Sequence, residues 1–533
     1  MIARVVFVAA ATLTCSLAAD LYPVSGTVLN VATDSPLQHA RVYFYRSSAS
    51  GGKPVASAIT GDNGRFQFQL PAGSYVMRAG TRDIQENYGA RNPSNSIASA
   101  VIVGPDKETA NLVFRFFPPA AIYGRVMDDA GEPAPNVLVQ LIRMSVSGGR
   151  RTAATFAFER TNDLGEYRFG RLPGDTAYYL AVTGEPSNPQ ATATFAPVYF
   201  PNVPDPAKAT PIFVKAGEEA LADFALTPAP GANVTVRHDA PQGTSGTISL
   251  TYKGVADTIA VQQSAQIVAF RMPARNAPAD ALTQEQVLNA VPPGHYTLAI
   301  YGSAGSTVYW ASREIDVNGA PLEVDLPVKP VHGIKGTVHF PPDASQGSTS
   351  VSIRGLGGGS AGTVAAARDG AFAFPSVTPG SFRVSIGGSA GYYATGMEAH
   401  GGSFHNGILD VPEGSDVELS ITVSNETGGV HGFVTDKDRP VEGVFAILAS
   451  TGDSGGVLGE DARARVYQTE SDGSFDFRAI PAGHYLLFGT DNTQLEYSRP
   501  EVIAPYLAHA KPIEIRAQSS TDERIPLLPA PQR

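Results

Sequence analysis

A few short clusters in this sequence carry residue types that could do chemistry. Gly452-Asp453-Ser454-Gly455-Gly456 sets a serine among glycines. An acyl-transfer nucleophile looks like this when a histidine base, an orienting aspartate and backbone oxyanion donors come to meet it. Gly358-Gly359-Ser360-Ala361-Gly362 and Gly387-Gly388-Ser389-Ala390-Gly391 share the Gly-x-Ser-x-Gly spacing of a nucleophile elbow. Glu398, His400 and His405 are potential metal ligands, and Asp436-Lys437-Asp438 offers two carboxylates in a turn. Tyr309-Trp310, which contains the only Trp of the chain, offers aromatic faces of the kind that stack on sugar rings.

The elements that must position these groups decide most of the cases. Ser454 follows the strand-like run Val444-Phe445-Ala446-Ile447-Leu448, and comparable places upstream hold Ser50-Gly51-Gly52, Ser147-Gly148-Gly149 and Gly357-Gly358-Gly359. A recurring glycine-rich hairpin loop accounts for it, and no companion histidine or aspartate motif precedes it. No helical pattern follows either Gly-x-Ser-x-Gly segment, as an elbow demands. Glu398, His400 and His405 lack the helical His-Glu-x-x-His arrangement, and Asp436-Lys437-Asp438 lacks the ligand density of a calcium loop. Metal and cofactor are therefore expected to be none. Tyr309 and Trp310 remain as the expected ligand contacts. A packing role competes with that reading, because Tyr88, Tyr199-Phe200, Tyr392-Tyr393 and Tyr497 stand at similar places once per repeat.

That repeat is the dominant signal. Its clearest copy opens with Gly26-Thr27-Val28 and continues with Asp62-Asn63-Gly64-Arg65-Phe66-Gln67-Phe68 and Leu70-Pro71-Ala72-Gly73-Ser74-Tyr75. Counterparts begin at Gly124, Gly336 and Gly432, with Tyr167-Arg168-Phe169, Phe372-Ala373-Phe374 and Phe475-Asp476-Phe477 as the aromatic pairs. A third, degenerate copy keeps Pro292-Pro293-Gly294-His295-Tyr296 but has Gln286 and Leu288 at the aromatic positions. Asx-Gly makes a turn, and Phe-x-Phe puts both rings on one face of a strand. Pro-x-Gly then turns the chain into the next strand. Repeats of about 86–120 residues suit one small sandwich each. The expected fold is all-β: a tandem array of about five Ig-like or transthyretin-like sandwiches at residues 20–119, 120–229, 230–330, 331–425 and 426–533. Residues 280–289 are the one candidate helical turn. Short Pro-rich joints predict an extended, semi-rigid rod.

The chain has 533 residues, 39 basic and 50 acidic, for a formal net charge of −11. That balance disfavours a nucleic-acid partner. A single cysteine excludes a disulfide framework and Cys-based metal sites. Residues 1–19 read as an export signal: Arg4, an apolar run from Val5 to Leu17, then small residues for cleavage after Ala18 or Ala19. Thr14 disfavours lipidation of Cys15, and cleavage would leave a mature chain without cysteine. No later run is long and apolar enough for a transmembrane helix.

The order Gly-x-Val, Asp-x-x-Gly-x-Phe-x-Phe, Leu-Pro-x-Gly-x-Tyr resembles the carboxypeptidase regulatory-like domain, a transthyretin-like sandwich grouped with carbohydrate-binding-like folds. The resemblance implies accessory domains with no catalysis of their own. The function expected on these grounds is that of an exported, non-enzymatic binding or spacer protein, adhesin-like and periplasmic, cell-surface or extracellular. Its expected partners are carbohydrate or an envelope protein. The alternative from another class is a secreted serine hydrolase using Ser454.

Overall fold

The computed structural model describes residues 20–47, 52–91, 97–147, 149–183, 193–253, 262–272, 285–342, 348–356, 362–388, 391–451 and 464–529. The expected cleavage site at Ala18 and Ala19, together with Cys15, Ser454 and Ser360, lies outside them. Within them the chain is an all-β tandem array of five β-sandwiches. Five main hydrophobic cores fall in the stretches 24–116, 120–226, 232–326, 334–423 and 430–525.

Each sandwich is wound the same way. An opening strand (Leu21–Asn30, Ala120–Met127, Ala232–Arg237, Ile334–His339, Thr427–Asp436) lies antiparallel to the strand bearing the aromatic pair or, in the third unit, Gln286 and Leu288. On its other side it runs parallel to a closing strand from the end of the same unit. The second sheet centres on a strand such as Arg41–Arg46, flanked by Ala56–Ile59 and Gly73–Gly80. Alternating inward residues such as Val24, Phe44 and Tyr75 are fully buried between the sheets, each contributing about 1.5–3 kcal/mol of apolar burial.

The motif residues have legible structural duties. The motif glycine sits where the parallel closing strand comes closest: a Cβ on Gly26 would lie 2.2 Å from the Leu112 carbonyl oxygen and 2.7 Å from the Phe66 ring. Gly336 and Gly432 face the same squeeze against Phe372 and Phe475. In the third unit Val236 pairs with Gln286, as Gly26 does with Phe66. Without an aromatic ring to cover that position, a side chain replaces the glycine, and the two departures explain each other. The tyrosine of Leu-Pro-x-Gly-x-Tyr closes the preceding turn. Its hydroxyl donates to the proline carbonyl in Tyr75–Pro71 (2.8 Å), Tyr178–Pro173 (2.9 Å), Tyr296–Pro292 (2.9 Å) and Tyr485–Pro481 (2.7 Å).

Two expectations are corrected. Residues 285–289 of the candidate helical turn belong to a strand (Glu285–Val291) paired with Ala232–Arg237, and residues 280–284 lie outside the described residues. Among the described residues the α-helix instead spans Pro500–Leu507 and packs Tyr506 on Phe488, ring centroids 5.3 Å apart. The rod does not form either, because the fifth sandwich returns to the first. Ser99 Oγ donates to the Thr469 carbonyl (2.7 Å), and Ser471 N to the Ala100 carbonyl (2.9 Å). Ile102 N donates to Ser471 Oγ (3.0 Å), Ala100 N to the Glu470 carboxylate, and the Tyr88 hydroxyl to the Glu442 carboxylate. Lys107 pairs with Asp472 at 2.6 Å. The turn Glu470-Ser471-Asp472 thus caps the free edge of the strand Ala100–Val103, an edge that would otherwise present unpaired backbone groups. The fifth sandwich also meets the second, where Ser498 N donates to the Gly149 carbonyl at 3.0 Å. Short joints limit freedom at each step but do not fix a straight path.

Candidate ligand-binding faces

Trp310 lies in the long strand Thr307–Val317 of the third sandwich, one strand in from the edge of its second sheet. The preceding strand, Gly294–Ala304, buries Tyr296, Leu298 and Ile300 and turns the alternate residues outward. Register places Trp310 opposite Tyr301 and Tyr309 opposite Gly302. The adjacent pair of the sequence is therefore split, with Tyr309 and Trp310 on opposite faces. Trp310 is half-buried, and its cross-strand neighbour Tyr301 is 50% exposed. On the other side Trp310 faces Lys329 of the strand Lys329–Pro330. Lys329 pairs with Glu413 of the fourth sandwich at 2.7 Å, so this edge is held at the joint between the two units. The face consists of two aromatic side chains abreast with a cation at the rim, a shape suited to stacking rather than bond-making.

Sequence reasoning missed Tyr301. Its signal was present, since in Tyr296-Thr297-Leu298-Ala299-Ile300-Tyr301 it falls out of phase with the buried set. Tyr88 and Tyr199, two of the recurring aromatic sites, are fully buried, whereas Tyr392 packs edge-on against Phe340 at 5.3 Å. Glu398, His400 and His405 fall on exposed strand positions, and no cluster of three potential metal ligands exists among the described residues.

No family model matches the sequence, and no curated protein does. Among solved structures the chain is similar to the Bacillus anthracis TIE protein, at 12% identity over 76% of this chain and 75% of that one, TM-score 0.17. It is also similar to the pilus adhesin SpaC of Lactobacillus rhamnosus GG (13%, 76% and 56%, TM-score 0.16). A third is BcpA, the major pilin subunit of Bacillus cereus (11%, 57% and 99%, TM-score 0.15). TM-scores this low leave the fold resting on the sheets themselves. No helix among the described residues is long and apolar enough to cross a membrane.

Proposed function

We propose that this is an exported, non-catalytic binding protein whose five sandwiches display ligand-contacting faces outside the cytoplasm, with carbohydrate as the ligand class. The observation that carries the reading is the outward pair Trp310 and Tyr301, held in register by an eleven-pair hairpin ladder and rimmed by Lys329. Exposed aromatic side chains fixed on strands make a rigid stacking surface at low entropic cost. The repeated motifs support five copied units of the carboxypeptidase regulatory-like kind, with borders as the sequence divides them. Residues 1–19 supply the export signal.

Because Trp310 is the only tryptophan, its fluorescence reports on this one place. Titrating the mature protein with glycans selected on an array should shift Trp310 emission, and Tyr301→Ala should weaken that response. An unchanged emission with every array-selected glycan would defeat the reading. Covalent labelling by a fluorophosphonate, lost in Ser454→Ala, would replace it with the hydrolase.

A further inference from the structure

The second sandwich departs from its four siblings in three linked ways, all on the outer face of its first sheet. The residue before the motif glycine points outward there, and the five units place Ser25, Tyr123, Thr235, Lys335 and His431 at that position. Tyr123 alone supplies a phenol ring, 39% exposed, and Leu221 beside it on the closing strand is 58% exposed. In the other four units the closing strand is continuous (Leu112–Phe116, Leu322–Asp325, Val417–Ser424, Ser520–Leu528). In the second it is broken into Glu219–Leu221 and Phe224–Ala225.

The break is built in. Asp223 turns its carboxylate onto the Arg125 amide (2.8 Å), and the Tyr167 hydroxyl donates to the Ala222 carbonyl. Tyr167 replaces the phenylalanine of the first, fourth and fifth units, which has no hydroxyl to give. Local breaks in strand pairing commonly re-aim side chains at binding sites.

The result is a groove of about 720 Å³ over Tyr123 and Leu221, within the usual range of about 300–1,000 Å³ for ligand sites. Its rim carries ion pairs already oriented. Arg125 bonds Glu166 at 2.7 Å, which holds that carboxyl below its usual range. Arg168 grips Glu219 with two bonds of 2.7 and 3.1 Å. Arg160 donates to the Asn136 carbonyl at 2.9 Å. Glu166 and Asp223 line the groove, and Glu219, the partner of Arg168 just beyond the lining, brings the carboxylates to three against the three guanidiniums, so that the rim is balanced in charge.

We propose that this groove is a second ligand site, one that takes an uncharged oligosaccharide. The inference rests on the carbohydrate reading above but uses a different sandwich. A sugar ring presents a C–H face to Tyr123 and Leu221, while its hydroxyls both donate to the carboxylates and accept from the guanidiniums. A balanced rim favours neither an anionic nor a cationic ligand.

Isothermal titration of the full mature chain with α- and β-linked glucohexaose, and with hexagalacturonate as the charged control, tests it. A neutral hexaose should bind without changing Trp310 emission, about tenfold more weakly to Tyr123→Ala and unchanged to Tyr123→Phe. Unaltered binding to Tyr123→Ala, tighter binding of hexagalacturonate, or no binding by either glucohexaose would overturn it. Binding that survives Tyr123→Ala but is lost in Trp310→Ala would sink this site and leave the third-sandwich face standing. Binding that survives Trp310→Ala but not Tyr123→Ala would do the reverse.

Discussion

Glu86 provides a sharp test of how burial acts in the first sandwich. It lies on the short strand Gln85–Asn87, and its carboxylate accepts the Phe117 amide at 2.9 Å. Burial raises its pKa from the usual 4.5 to about 7, although that hydrogen bond works the other way. In the unfolded chain the group ionises near 4.5, and in the folded unit near 7. Its favourable contribution is therefore complete below about pH 4.5 and is lost as the pH rises through 7. A shift of roughly 2.5 units corresponds to about 3.4 kcal/mol. Residual solvent access reduces that to about 2–3 kcal/mol. Glu86→Gln keeps the acceptor and removes the charge. Hydrogen exchange of peptides covering residues 75–88 and 112–117, corrected for intrinsic rates, should show wild-type protection falling between pH 5 and 8 and the variant holding level. Parallel profiles for the two proteins would refute the reasoning.

The remaining predictions concern the motif and the seam. Tyr296→Phe removes the hydroxyl bond to Pro292 and should cost the third sandwich about 0.5–1.5 kcal/mol, read by urea denaturation. Gly124→Ala puts a Cβ 1.9 Å from the Ala222 carbonyl oxygen and should destabilise the second sandwich by more than Tyr296→Phe does the third, in the same assay. Burial raises the pKa of Glu442 and of Glu470 at the contact between the first and fifth sandwiches. Protonation thus favours the docked state, and scattering through a pH titration should give a radius of gyration that grows as the pH rises. That growth should vanish in Glu442→Gln/Glu470→Gln. Asp472 runs the other way: burial alone would raise it, but Lys107 and Ser474 hold it low, so its support is lost only in stronger acid.

Much of the architecture was readable because each motif residue answers a local need. Glycine answers the close parallel strand, the aromatic pair covers it, and tyrosine closes the Pro-x-Gly turn. Even the degenerate unit was legible, since Gln286 and Leu288 take the register of the missing rings. The seam was not, because Ser99, Glu442, Thr469 and Glu470 are ordinary polar residues with no period, and their meeting depends on how distant sandwiches are placed in space. Trp310 was visible as a singular residue. Its partner Tyr301 required knowing that Ala304 and Thr307 pair at the tip of a hairpin. Tyr123 was not singled out in the sequence, although it falls out of phase with the buried Ile122 and Val126, and the strand break at Ala222-Asp223 leaves no mark in composition.

The docking of the last sandwich onto the first changes how the molecule would bear load. A pull entering through one of these two modules and leaving through the other meets a handful of polar contacts before it reaches any hydrophobic core. Those contacts, and the ones that hold the fifth module to the second, would part first and let the intervening modules swing out, so the protein could lengthen while every fold stays intact, and shorten again when the tension is released.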